Sequence, residues 1–147
     1  SAFPSADRVE SRTVVLDETQ VRRIESLAGA ALQTKLVTIH TGFAGDEPLG
    51  YAFIDVHVVR TLYEALLVVV TPQGAVGSLR ILAFHEPEEY MPSERWMAQF
   101  RDRTLKDDLK VRRGIHGIAG STLSARAVSA GVRRALALYA VLIRDGD

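Results

Sequence analysis

Between Asp17 and Ala31 the apolar residues Val21, Ile24, Leu27 and Ala31 recur at helical spacing and share one face. Asp17 and Gln20 stand three apart, the spacing of a capping box, so a first helix is predicted to start there and lie as a lid on a sheet. The period then shortens. Lys35 to Thr41 and Leu49 to Val59 are rich in β-branched and aromatic residues, and GFAGDEP at 42–48 supplies turn chemistry between them, which predicts a hairpin. Ala65 to Val70 is a continuous apolar run, TPQG follows as a turn, and Val76 to Phe84 resumes as a strand, giving a second hairpin.

Ser93 is placed to cap a short helix that carries Trp96, Met97 and Phe100. The stretch RDRTLKDDLKVRR at 101–113 reads as a solvated, irregular segment pinned by Leu105 and Leu109. A long final helix is predicted from about Ser121 to Ile143, its stripe made of Leu123, Val128, Val132, Ala135, Leu136, Tyr139, Leu142 and Ile143. Residues 1–15 read as a polar, flexible lead. The order of elements gives one α+β unit over residues 1–147, an antiparallel sheet of two hairpins packed by the N-terminal and C-terminal helices.

Alternation along YAFIDVHVV sorts that strand into two faces. Ala52, Ile54, Val56 and Val58 form the aliphatic face, which is predicted to be core. Tyr51, Phe53, Asp55 and His57 form a mixed face. It is either solvated and carries an Asp-His pair, or it lines a ligand pocket together with Arg60, Thr61 and Glu64, where a guanidinium can meet phosphate.

Composition narrows the chemistry. Eighteen basic side chains balance eighteen acidic ones, so the basic face that nucleic-acid binding needs is not indicated. With no cysteine, thiol nucleophiles, disulfides, zinc-thiolate sites and iron-sulfur clusters are excluded. No run of about 18 apolar residues predicts a membrane-spanning helix. The four histidines, at 40, 57, 85 and 116, have no paired metal spacing, and HEPEEY at 85–90 reads better as a loop closing over a ligand than as a metal site, because Pro87 favours extended backbone.

GIAGSTLSARAV at 117–128 places Gly120, Ser121, Thr122 and Ser124 at the mouth of the last helix. Helix amides without intrahelical partners carry partial positive charge there, and a glycine lets phosphate approach closely. Simple capping uses a single side-chain oxygen, and this segment offers three hydroxyls.

IHGIAGSTLSARAV, residues 115–128, resembles the flavinylation segment of FMN-binding domain proteins, the family that includes the flavin-carrying subunits of Rnf complexes and sodium-pumping NADH:quinone reductases. In that family an Asp, two variable residues, Ser or Thr and then Gly-Ala-Thr lead to a threonine esterified to FMN phosphate. Here those positions fall on His116, Ala119, Gly120, Ser121 and Thr122, so the Gly and the acceptor Thr match. GYAFIDVHVVRT, VVTPQGAVGSLRIL, FHEPEEY and WMAQF are similar to the family's Gly-Tyr strand, central hairpin, acidic-Pro loop and short helix, and the likeness covers residues 35–143.

The resemblance implies FMN, held non-covalently or as a phosphoester on Thr122. It implies a site of Ala119, Gly120, Ser121, Thr122, Leu123, Ser124 and His116, lined by His57, Arg60, Thr61, Glu64 and His85. It also implies maturation by an FMN transferase, electron transport to or from a membrane redox complex, and a periplasmic, membrane-associated location with any anchor outside this chain. His116 and Ala119 replace groups the transferase reads, which keeps open a flavin-free scaffold or interaction module of the same fold.

Overall fold

The computed structural model describes residues 2–118 and 120–146. Five strands form one antiparallel sheet in chain order: β1 (Arg8–Val15), β2 (Leu36–Ala44), β3 (Glu47–Val58), β4 (Tyr63–Val70) and β5 (Val76–Phe84). Helix α1 (Glu18–Ala28) connects β1 to β2. A short α2 (Glu94–Met97) and the long α3 (Thr122–Tyr139) follow the sheet. The class is α+β, as expected.

Several local signals act as read. Asp17 caps α1 with a complete capping box, its carboxylate accepting from the Gln20 amide at 2.8 Å and the Gln20 side chain accepting from the Asp17 amide at 3.0 Å. The helix ends earlier than Ala31, at Gly29, whose φ of 61° is a left-handed C-cap. Arg133 of α3 then donates to the free carbonyls of Ala28 and Gly29, at 2.8 and 3.0 Å. Ser93 caps α2, accepting from the Trp96 amide at 3.0 Å.

Residues 8–15 are not a flexible lead. They form β1, paired in full register with β2 from Arg8 opposite Phe43 to Val15 opposite Leu36. The sheet is therefore a five-strand meander rather than two hairpins. Polar residues hid this strand, because β1 is an edge with little burial: only Val14 turns inward to the main core. The expected turn at 42–48 is also shorter, since β2 and β3 run on to Ala44 and Glu47 around Gly45.

Helices α1 and α3 pack together on one face of the sheet, and the main core lies between the layers: Ile24 and Ala28 from α1, Phe53, Leu66, Val68 and Val70 from the sheet, Val128, Val132, Ala135 and Leu136 from α3. Leu109 is buried and Leu105 packs against this core, as expected of the charged segment. Each fully buried aliphatic side chain contributes about 1.5–3 kcal/mol, so this layer dominates stability. The opposite face is partly covered by Phe3, which packs on Ala52, Leu67 and Val69. Among the described residues no helix is long and apolar enough to cross a membrane.

The faces of β3 are inverted relative to the sequence reading. Ile54, Val56 and Val58 are about half exposed, at 49%, 48% and 45%, whereas Phe53 and His57 are buried at 2% and 3%. Period two sorts residues into faces but does not say which face meets the helices. Polar partners decide it here, since Asp55 and His57 meet Arg134 and Glu64 beneath α3.

Candidate functional site

The entrance to α3 lacks a side-chain cap. Gly120 has φ of 76°, and a Cβ built there would meet nothing within 4 Å among the described residues, which leaves the backbone open to a close approach. Ser121 occupies the N-cap position, yet its hydroxyl turns away from the first-turn amides and donates to the Tyr90 carbonyl at 3.2 Å. No side chain among the described residues accepts from the amides of Thr122, Leu123 and Ser124, and the α3 dipole adds partial positive charge there.

Two hydroxyls stand in this first turn. Thr122 is half-buried, while Ser124 is 1% exposed and its Oγ has no hydrogen-bond partner among the described residues. A buried hydroxyl left unpaired costs about 1–3 kcal/mol. Leu123, expected in the apolar stripe, is 46% exposed. At the helix mouth the stripe has not yet reached the sheet.

The loop after β5 stitches itself to this entrance. Trp96 Nε1 donates to the His116 carbonyl at 2.7 Å, and the His116 amide donates to Gln99 Oε1 at 2.8 Å. The Arg60 guanidinium lies over the Tyr90 ring, 4.7 Å from its centroid, which brings a cation to the residue that holds Ser121. His116 and His85 have exposed side chains, and the His85 amide donates to the Tyr63 carbonyl at 3.1 Å. Ala119 lies outside the described residues.

Thr61, expected to line a ligand pocket, contributes its backbone amide to a contact within the protein. The amides of Arg60, Thr61 and Leu62 converge on one oxygen of Glu86, at 2.9, 2.8 and 2.9 Å. The anion held by this turn is the protein's own carboxylate, and the Leu62 and Thr61 amides lower its pKa. Glu86 of HEPEEY thus fastens the loop to the β3–β4 turn.

His57 and Glu64 are drawn into the core instead of onto an open pocket wall. His57 donates from Nδ1 to Asp55 Oδ1 at 2.7 Å and from Nε2 to Glu64 Oε1 at 2.5 Å, and Arg134 of α3 grips Asp55 with Nε and Nη2 at 2.8 and 2.9 Å. Two cations and two anions alternate along this chain, which is neutral when His57 is an imidazolium. Gly131 lets α3 close over it, since a Cβ there would sit 3.3 Å from Asp55 Oδ1 and 3.4 Å from His57 Cε1.

Burial alone would lower the His57 pKa, but hydrogen bonds and charge from Asp55 and Glu64 outweigh it and raise the value to about 9. For Asp55, burial is likewise overridden, by Arg134 first and His57 second, and its pKa falls to about 2. Glu64 Oε2 is buried without a partner among the described residues. Perturbed, mutually paired groups of this kind occur both in functional sites and in structural ion networks.

The sequence-predicted residues therefore divide into three places. Gly120 to Ser124 and, across Tyr90, Arg60 gather at the α3 entrance, with the His116 backbone before them; Thr61 and His85 lie where the β3–β4 turn meets the loop after β5; His57 and Glu64 lie under α3. Sequence reasoning missed Arg134, Tyr90 and Trp96. For Arg134 a signal existed, because an arginine inside the buried stripe of a helix requires a buried carboxylate. No protein-family profile and no curated protein sequence matches the chain.

Proposed function

We propose that this chain is an FMN-binding redox domain that carries electrons between a reduced donor and a membrane-associated acceptor, with the flavin phosphate at the start of α3. The uncapped helix mouth carries this reading: open backbone at Gly120, Ser121 drawn off to Tyr90, and the buried, partnerless Ser124 hydroxyl. Amides of Thr122 to Ser124 would hold the phosphate oxygens, and Arg60 would add charge from the Tyr90 side. Bound FMN supplies the electron-carrying chemistry; the chain's residues position it and set the charge around it.

Thr122 presents the hydroxyl that a transferase would esterify. Protein matured beside an FMN transferase is expected to gain the mass of FMN less water, and Thr122→Val to lose that increment. An unmodified mass with full flavin occupancy assigns non-covalent binding at the same helix end. Colourless native protein that takes up no added FMN contradicts the reading and favours a flavin-free interaction module, the alternative raised by His116 and Ala119.

A further inference from the structure

The sheet face turned away from α1 and α3 is covered at one end, where Phe3 packs on Ala52, Leu67 and Val69. At the other end Val15, Leu36, Ile54, Val56, Val58 and Tyr63 are between 45% and 73% exposed. These six form one patch. Val15 stands opposite Leu36, and Val58 opposite Tyr63. The β2–β3 ladder ends at His40 and Ala52, and beyond it Leu36, Ile54 and Val56 line one cleft of about 80 Å³, which joins the two halves of the patch. Their neighbours on this face are Thr13, Thr38 and Ala65, so no charged side chain interrupts it. The Thr13 and Thr38 hydroxyls bond each other at 3.1 Å, and covering them strands neither.

We propose that a second copy of this chain packs on the patch, sheet face to sheet face about a two-fold axis, in a contact that does not depend on flavin. The area fits a copy. The six side chains leave bare on the order of 600 Å², at the top of the roughly 300–600 Å² of a monomer's largest apolar patch and three-quarters of the roughly 800 Å² per partner of a standard interface. Thr13 and Thr38, also exposed, add to it. The chemistry fits a copy as well, because a two-fold axis sets identical surfaces against each other, and surfaces without charge meet without repulsion. A lipid surface would instead be matched by basic side chains flanking the apolar ones. Here Arg80, opposite Leu67, stands only at the margin. Sheets packed face to face interdigitate the kind of aliphatic and aromatic side chains that this face presents.

Sedimentation equilibrium of the full chain from micromolar to millimolar concentration tests this, with wild type expected to reach the mass of a dimer. Val56→Glu and Tyr63→Arg should each raise the dissociation constant about a hundredfold, since two-fold symmetry places every change in the interface twice. Leu27→Glu, an exposed change on α1, should leave the dimer intact. Circular dichroism checks folding, and because Val56 and Tyr63 lie on different strands, one variant decides should the other not fold. Wild type that stays monomeric across the range overturns the proposal, and co-sedimentation of that monomer with phosphatidylcholine vesicles reassigns the patch to a lipid surface. A dimer that survives both Val56→Glu and Tyr63→Arg overturns it too, since the contact then lies on another face.

Discussion

His57 is the residue on which pH acts most directly. Its pKa is raised from 6.5 to about 9, so its contribution to stability is complete below pH 6.5 and is lost as pH rises through 9. The difference corresponds to roughly 3 kcal/mol, and urea unfolding between pH 6 and pH 10 should show a decline of that order. Glu64→Gln removes one of the two anions facing His57, and the decline should then begin at lower pH, with the imidazole titration moving down in NMR. An unchanged titration would show that Glu64 does not hold the proton. Arg134→Met leaves Asp55 without its bidentate partner and should cost about 3–5 kcal/mol, since breaking a buried pair strands a charge. Asp55 and His57 were legible as a pair in the sequence; their partners were not, because Glu64 meets His57 only through the β3–β4 register and Arg134 arrives from 79 residues away.

Individual elements divide by how local their causes are. The α1 cap, the β4 apolar run and the α2 cap follow from residues within one turn of each other, and all were readable. β1 was not, because an edge strand needs few apolar residues and its ladder is made with β2 across a helix. Deleting residues 1–15 removes that ladder, the inward Val14 and the Phe3 cover of Ala52, Leu67 and Val69, and should lower the thermal unfolding midpoint by several degrees or prevent folding. A midpoint equal to that of the full chain would mean that β1 adds nothing to the sheet. The Glu86 latch works on the same scale. Glu86→Ala should speed hydrogen exchange at the amides of Arg60, Thr61 and Leu62 while leaving the central strands protected.

Across the whole molecule, one sheet face is covered by α1 and α3, and the start of α3 is left without a side-chain cap among the described residues. That arrangement separates a rigid ionic chain in the core from a permissive helix mouth at the surface. The mouth was legible as Gly-Ser-Thr at the start of an apolar helix; its freedom from capping was not, because Ser121 is diverted by Tyr90, 31 residues earlier in the chain. The most direct measurement compares amide ¹H–¹⁵N spectra of flavin-free and flavin-loaded protein. If phosphate accepts from the first-turn amides of α3, the largest shifts fall at Gly120 to Ser124. Loaded protein whose Gly120 to Ser124 amides stay in place would contradict it.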